Sequence, residues 1–280
     1  MKTKKISTML SSLFMLASFI LIVSCNKDNE NNNAPILLSY ENNIIFDNES
    51  RHYSITPFIE ATTPLYIKGG DGHYTVNNLN KEIINVDYNG KTIQFKPISL
   101  GSAIVAIKDN SGNQYDLTVE VRYHQQNYVI ASKTCVVEGN NMTVGEKTEL
   151  ENKVKSLPPV ERYEFTYTNK EDTKGTVRLY SQKSGSAVDY KEYSFEQESI
   201  DTTIIVNDQN VRSLYRITMK TEKESIKFYV AMYFDGTKSI GGDMVLKRYY
   251  FIQDLTERYK GDYPAMENVY EIQIAIWKRM

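Results

Sequence analysis

From residue 35 to residue 123, apolar and polar positions alternate with a period of two, in short runs separated by turn-forming residues. Ile44-Ile45-Phe46, Tyr53-Ser54-Ile55, Leu65-Tyr66-Ile67, Tyr74-Thr75-Val76, residues 83–88, Thr92-Ile93-Gln94-Phe95, residues 103–107 and residues 115–121 have the length and composition of strands. Between them stand Gly69-Gly70-Asp71-Gly72, Asn89-Gly90, Leu100-Gly101-Ser102 and Asp109-Asn110-Ser111-Gly112-Asn113. Asn-Gly is a strong hairpin signal, because both residues tolerate the positive φ of a two-residue turn. Short strands at this spacing, with no helical stretch, predict an antiparallel β-sandwich over residues 35–123.

His124-Gln125-Gln126-Asn127 is a polar joint, which sets a second domain at residues 124–280. A strand is expected over 128–137. The period then changes: Thr143-Val144-Gly145-Glu146 has capping-box form, Leu150, Val154 and Leu157 share one helical face, and Pro158-Pro159 ends the helix. Strands return at 162–167, 176–180, 188–195, 202–206, 214–219 and 226–234, with Glu222-Lys223-Glu224 as a hairpin turn. Residues 255–263 suit a short helix ending near Pro264. Residues 269–277, with Ile272, Ile274 and Ile276 on one face, suit a half-buried strand. The sum is about eight antiparallel strands with one or two helices, either a lipocalin-like barrel or a curved α+β sheet. The fold class is mainly β: a sandwich followed by a β-rich α+β domain.

The first 33 residues have another character. Lys2, Lys4 and Lys5 precede an apolar run over residues 9–23, the layout of a signal peptide and short for a stable membrane span. It ends Leu21-Ile22-Val23-Ser24-Cys25. This resembles the lipobox of bacterial lipoproteins, with Ile22 where leucine is commoner. The resemblance implies cleavage after Ser24, so that residues 1–24 are a signal peptide, and lipid on Cys25 that anchors the chain to a membrane. Several acyl chains hold far better than one. Residues 25–34 follow as a polar tether that cannot pack. Within it, Lys27-Asp28 and Glu30 resemble the surface-export signal of Bacteroidetes-type lipoproteins, which implies the outer membrane and its outward face.

A second resemblance covers roughly residues 36–123. Gly69-Gly70-Asp71-Gly72-His73-Tyr74, Ile84-Asn85-Val86, Gly90-Lys91-Thr92-Ile93, residues 101–107 and Asp109-Asn110-Ser111-Gly112 follow the order of signals in bacterial immunoglobulin-like domains of the Big type. Members of that family usually act as spacers or adhesive modules, so the resemblance implies a stalk without an active site.

Charge and composition narrow the partners. Removing residues 1–24, which carry three lysines and no acid, leaves 30 basic against 35 acidic residues, a net charge of −5. That is no footprint for nucleic acid. The two cysteines are Cys25 and Cys135; acylation of the first leaves the second without a disulfide partner, in an apolar run that suits a buried thiol. The 21 tyrosines and one tryptophan suit half-buried strand surfaces and binding faces alike.

No catalytic constellation emerges. The three histidines, His52, His73 and His124, lack metal-type spacing, and no serine sits in a nucleophile elbow. Gly69 to Gly72 would suit a phosphate loop only before a helix, and Tyr74-Thr75-Val76 reads as strand. Asp109, Asn110, Asn113 and Asp116 would suit calcium, but the distal glutamate of a calcium loop is missing. Glu192 with Glu196, or Asp235 with Asp243, could converge as a glycosidase pair only if folding set them across a cleft. No metal or cofactor is expected.

The aromatics are the remaining signal. Tyr163, Phe165 and Tyr167 alternate, as do Tyr193 and Phe195, which is the pattern of a core. Tyr249-Tyr250-Phe251 are contiguous and cannot all face one core, so they are the candidate ligand-binding residues, with Ile240-Gly241-Gly242-Asp243 as a rim. The expected function is a non-catalytic surface lipoprotein whose second domain binds an extracellular ligand such as a glycan. A structural adhesin, an envelope-complex subunit and a glycosidase-like enzyme are the alternatives.

Overall fold

The computed structural model describes residues 34–181, 189–206, 209–233 and 248–278. The segment expected to be a signal peptide, Cys25, the expected tether up to Asn33, the expected rim from Ile240 to Asp243 and the Asp235/Asp243 pair lie outside these residues. The chain divides into two compact units: one runs to Val121 without Thr56–Phe58, and the other takes those three residues and everything from Arg122.

The first unit has eight strands: β1 (Leu37–Ser39), β2 (His52–Ile55), β3 (Leu65–Lys68), β4 (Tyr74–Asn78), β5 (Ile84–Tyr88), β6 (Thr92–Pro97), β7 (Gly101–Asp109) and β8 (Gln114–Val121). They form two four-stranded sheets, ordered β1-β3-β6-β5 and β2-β8-β7-β4. Alternate side chains from both sheets, among them Leu38, Leu65, Ile93, Phe95, Val105, Ile107, Tyr115 and Leu117, build one core. This is a β-sandwich. It is not wholly antiparallel: β2 runs parallel to β8, with His52 opposite Thr118. Parallel neighbours need a long crossover, which residues 56–113 provide.

The expected first strand at Ile44-Ile45-Phe46 is also revised. Asn42 and Asn43 have φ of 58° and 61°, which no strand contains. The chain turns there, and only Phe46 reaches the core; Ile44 and Ile45 remain 62% and 84% exposed. The strand that pairs with β3 is instead β1.

The second unit is a closed barrel. Its strands are β9 (His124–Glu138), β10 (Val160–Tyr167), β11 (Lys174–Ser181), β12 (Tyr190–Val206), β13 (Gln209–Lys220), β14 (Ser225–Tyr233), β15 (Arg248–Asp254) and β16 (Asn268–Lys278). All neighbours are antiparallel in chain order, and β16 returns to pair with β9. Closure settles the choice left open by the sequence in favour of a barrel. Two details differ from expectation. The polar joint at residues 124–127 is the start of β9, with His124 opposite Tyr167 and Gln126 opposite Phe165. The segment expected as a half-buried strand is β16, hydrogen-bonded on both sides and buried over much of its length.

Side-chain alternation divides the barrel strands between inside and outside. Tyr163, Phe165 and Tyr167 of β10, Tyr193 and Phe195 of β12, Phe228 and Val230 of β14, and Phe251 of β15 form one buried interior cluster. Gly175 of β11 lies opposite Tyr167, where a Cβ would stand 1.9 Å from the Thr166 carbonyl oxygen. Only glycine fits so close an approach.

The helix Val144–Lys155 and the short helix Thr256–Tyr259 supply a separate cluster in which Leu150, Val154, Leu255 and Tyr259 meet Met142, Met266 and Val269. The longer helix starts with the expected capping box: the Glu146 amide donates to Thr143 Oγ1 (3.2 Å), and the Thr143 amide donates to the Glu146 carboxylate (2.8 Å). The Thr143 amide, and the Thr143 hydroxyl that also donates to the carboxylate, hold the Glu146 carboxyl below the usual range. Thr143→Ala is expected to cost about 1 kcal/mol. Urea unfolding of the variant checks this, and an unchanged midpoint would show that the cap adds nothing.

Candidate functional site

The contiguous aromatics divide between the two faces of β15. Tyr249 and Phe251 point inward and Tyr250 points outward, because successive strand residues face opposite ways.

Phe251 is 1% exposed. Its ring stacks on Tyr163 at 5.0 Å with an interplanar angle of 2°, and meets the edge of Tyr128 at 5.2 Å. Phe165 and Phe228 also flank it, at 6.3 Å each. An eight-stranded barrel is just wide enough for side chains to fill it, and here the filling is aromatic. Phe251 therefore meets protein on every side the geometry records.

Tyr249 stands among other phenols, with its ring 5.1 Å from Tyr128. Gln126 Oε1 accepts hydrogen bonds from the hydroxyls of Tyr128 (2.6 Å) and Tyr167 (3.1 Å). Burial pushes both phenols far above their usual range, with the neighbouring Tyr215 adding to the effect. Tyr215 itself is pushed up to about 12, chiefly by burial. Beside them the His124 ring stacks on Tyr167 at 5.3 Å, and its Nδ1 lies 2.6 Å from the Asp172 carboxylate. His124 and Asp172 are 39% and 42% exposed, so the pair adds little to stability. It does hold the turn between β10 and β11 against β9.

Deeper in the barrel runs a polar chain. Tyr163 donates to Gln273 Oε1 at 2.7 Å, and Gln273 donates from Nε2 to Glu271 Oε1 at 2.7 Å. Glu271 and Gln273 are 4% and 3% exposed. Buried amides and carboxylates need such partners, since an unpaired one costs the full desolvation of the group. Cys135, opposite Glu271 in the register, is half-buried, and burial pushes its thiol up.

The outward face of β14, β15 and β16 is different. Ala231, Ile252 and Ile272 are fully buried there, under half-buried Tyr229, Tyr250 and Tyr270, with Val136 of β9 alongside. Ile252 pairs across to Tyr229 on one side and to Ile272 on the other. The result is an apolar stripe with phenols over it, on the outside of the barrel. Tyrosine presents a flat apolar ring with a hydrogen-bonding tip, which suits both sugar faces and protein interfaces.

The other residues singled out from the sequence serve different ends. Glu192 and Glu196 lie on β12, where each binds a cation: Arg178 Nε at 2.9 Å and Lys174 Nζ at 3.2 Å. Four residues along one strand separates them by roughly 13 Å, wider than a glycosidase pair. Asp109 fastens a loop. Burial raises its carboxyl, but hydrogen bonds from the Asn113 side chain and backbone and from the Asp71 amide outweigh this and hold it below the usual range. Sequence reasoning missed Gln126, Asp172, Tyr215 and Glu271. Only the alternation of Tyr215, Ile217 and Met219 signalled any of them; the others depend on pairings that closure creates.

No protein-family model matches this chain, and no curated protein matches it.

Proposed function

We propose that this chain is a lipoprotein of the outer cell surface, anchored through Cys25, in which an immunoglobulin-like sandwich carries the barrel as a non-catalytic binding module. The observation that carries the binding reading is the tyrosine-rimmed stripe of Tyr229, Tyr250 and Tyr270 on the outside of a barrel filled with aromatic rings. Aromatic rings occupy the interior among the described residues, which favours recognition on the outer face, and of the three candidate residues Tyr250 is the one on that face. An extracellular glycan is the ligand class favoured by flat, hydroxyl-tipped rings. The basic start, apolar run and lipobox of residues 1–25, followed by a polar tether, support the anchor.

Two measurements test this. Mass spectrometry of protein purified from membranes is expected to find acyl chains on an N-terminal Cys25, and none on a Cys25→Ala variant. Lipid on the variant, or its absence from the wild type, ends the anchor reading. On a broad glycan array the wild type is expected to retain at least one glycan class, and Tyr250→Ala to weaken that binding roughly tenfold. Retention of no glycan removes the glycan reading.

A second reading, subunit of an envelope complex, draws on the same stripe: an apolar centre with aromatic residues around it is the make-up of an interface core. Stable co-purification of another envelope protein, lost on Tyr250→Ala, would favour it.

A further inference from the structure

The sandwich carries a feature unrelated to the barrel. On the outward face of the β2-β8-β7-β4 sheet, side chains form a grid fixed by register. Thr75 of β4, Lys108 of β7 and Gln114 of β8 make one row; Asn77, Ala106 and Asp116 make the next. Ile104 continues the β7 column, and Leu79 meets it through a 3.0 Å backbone hydrogen bond. The central residue is the smallest. Ala106 is 7% exposed although it points away from the core, because its neighbours stand over it as walls. Above it lies a cavity of about 500 Å³ lined by these residues.

We propose that this notch binds a sugar ring, a neutral hexopyranose of an extracellular glycan. Size comes first: the volume is in the range of small-ligand sites. The floor is apolar and short, Ala106 with Ile104 and Leu79 beside it, which accepts the C–H face of a ring. Asn77 and Asp116 flank Ala106 from adjacent strands, so their backbones are roughly 9–10 Å apart. One offers an amide and the other a carboxylate, groups that can each engage neighbouring hydroxyls. Gln114 Nε2 reaches both Asp116 oxygens, at 2.8 and 2.9 Å, and so fixes the direction of the carboxylate. Among the described residues, the side chains of Thr75, Asn77 and Lys108 have no hydrogen-bond or ion-pair partner. They are donors and acceptors held on a rigid sheet with nothing assigned to them.

Charge selects a neutral ligand. Lys108 and Asp116 balance, so an anion gains from one and loses to the other. A peptide strand is disfavoured for another reason: the backbone groups of β7 and β8 are already paired within the sheet, leaving only side chains on this face.

The test uses full-length protein in detergent with labelled alanine and isoleucine methyl groups, titrated with the methyl glycosides of glucose, galactose and mannose. The expected result is a saturable shift of the Ala106 and Ile104 methyl signals with at least one glycoside. Asp116→Asn is expected to weaken binding about tenfold, the scale of a hydrogen bond to a charged group. Ala106→Leu fills the notch from outside the core and is expected to abolish binding. Tyr250→Ala is expected to leave the titration unchanged, which separates this site from the barrel stripe. The proposal is overturned if no glycoside moves these methyl signals, if only Ile252 and Ile272 respond, or if folded Asp116→Asn and Ala106→Leu proteins bind as the wild type does.

Discussion

Replacing Phe251 by alanine is expected to destabilise the protein by about 3–5 kcal/mol, near the total stability of many domains. The ring is enclosed by Tyr163, Tyr128, Phe165 and Phe228, all in the same buried cluster. Truncation removes its buried area and leaves a cavity that a hydrogen-bonded cylinder cannot collapse to fill. Leucine at the same position restores volume but not the stacking on Tyr163, and an intermediate loss is expected. Urea unfolding followed by near-ultraviolet circular dichroism measures both. A Phe251→Ala barrel within about 0.5 kcal/mol of the wild type, the range of an ordinary surface change, would mean that the ring is no keystone. Tyr250→Ala, from the outer face of the same strand, should cost less.

The second large effect appears at high pH. Burial drives the phenols of Tyr128, Tyr163 and Tyr167 far above their usual range, and these residues are at most 3% exposed. Tyr215 in the barrel, and Tyr53 and Tyr115 in the sandwich, are pushed up to about 12, again chiefly by burial. A phenol in the unfolded chain ionises near pH 10. The folded state therefore holds its protons more tightly than the unfolded one above that pH. Stability is intact below about pH 10 and falls as pH rises toward the folded values. Each such group contributes a slope of about 1.4 kcal/mol per pH unit, so the three deepest barrel phenols give about 4 kcal/mol per pH unit. Phenolate absorbance is expected to show exposed tyrosines titrating first, then a cooperative step coincident with loss of circular dichroism. Smooth titration of every tyrosine with the fold intact would contradict the buried phenol cluster.

Much of this architecture was legible from local pattern. Alternation of Tyr163, Phe165 and Tyr167 signalled one buried face, and Thr143 with Glu146 marked the helix start, because both depend on residues a few positions apart. The failures have physical causes of their own. Ile44-Ile45-Phe46 looked like a strand because apolar runs do, but Asn42 and Asn43 turned the chain beforehand. Residues 124–127 looked like a linker because they are polar; inside the barrel, Gln126 is polar in order to receive two phenols. For Tyr249-Tyr250-Phe251, alternation fixed that two faces were involved but not which face was the inside. That depends on β16 meeting β9, a pairing between distant segments. The notch at Ala106 was invisible for the same reason, since Asn77, Ala106 and Asp116 become neighbours only through register.

That pairing also sets an order of events during folding. The Asn268 side chain bonds to Glu138 across 130 residues of sequence, whereas every other barrel neighbour is also the next strand along the chain. Six pairings between successive strands can proceed as the strands emerge from the ribosome, but the last seam must wait until Asn268–Lys278 has been made. Until then β9 and β15 present open edges, ready to pair with any passing strand. Closing so long a loop is slow relative to local steps. The sandwich, which ends at Val121, needs nothing from that segment and can finish first. Translation order thus gives the barrel a period of exposure that ends only with its final strand.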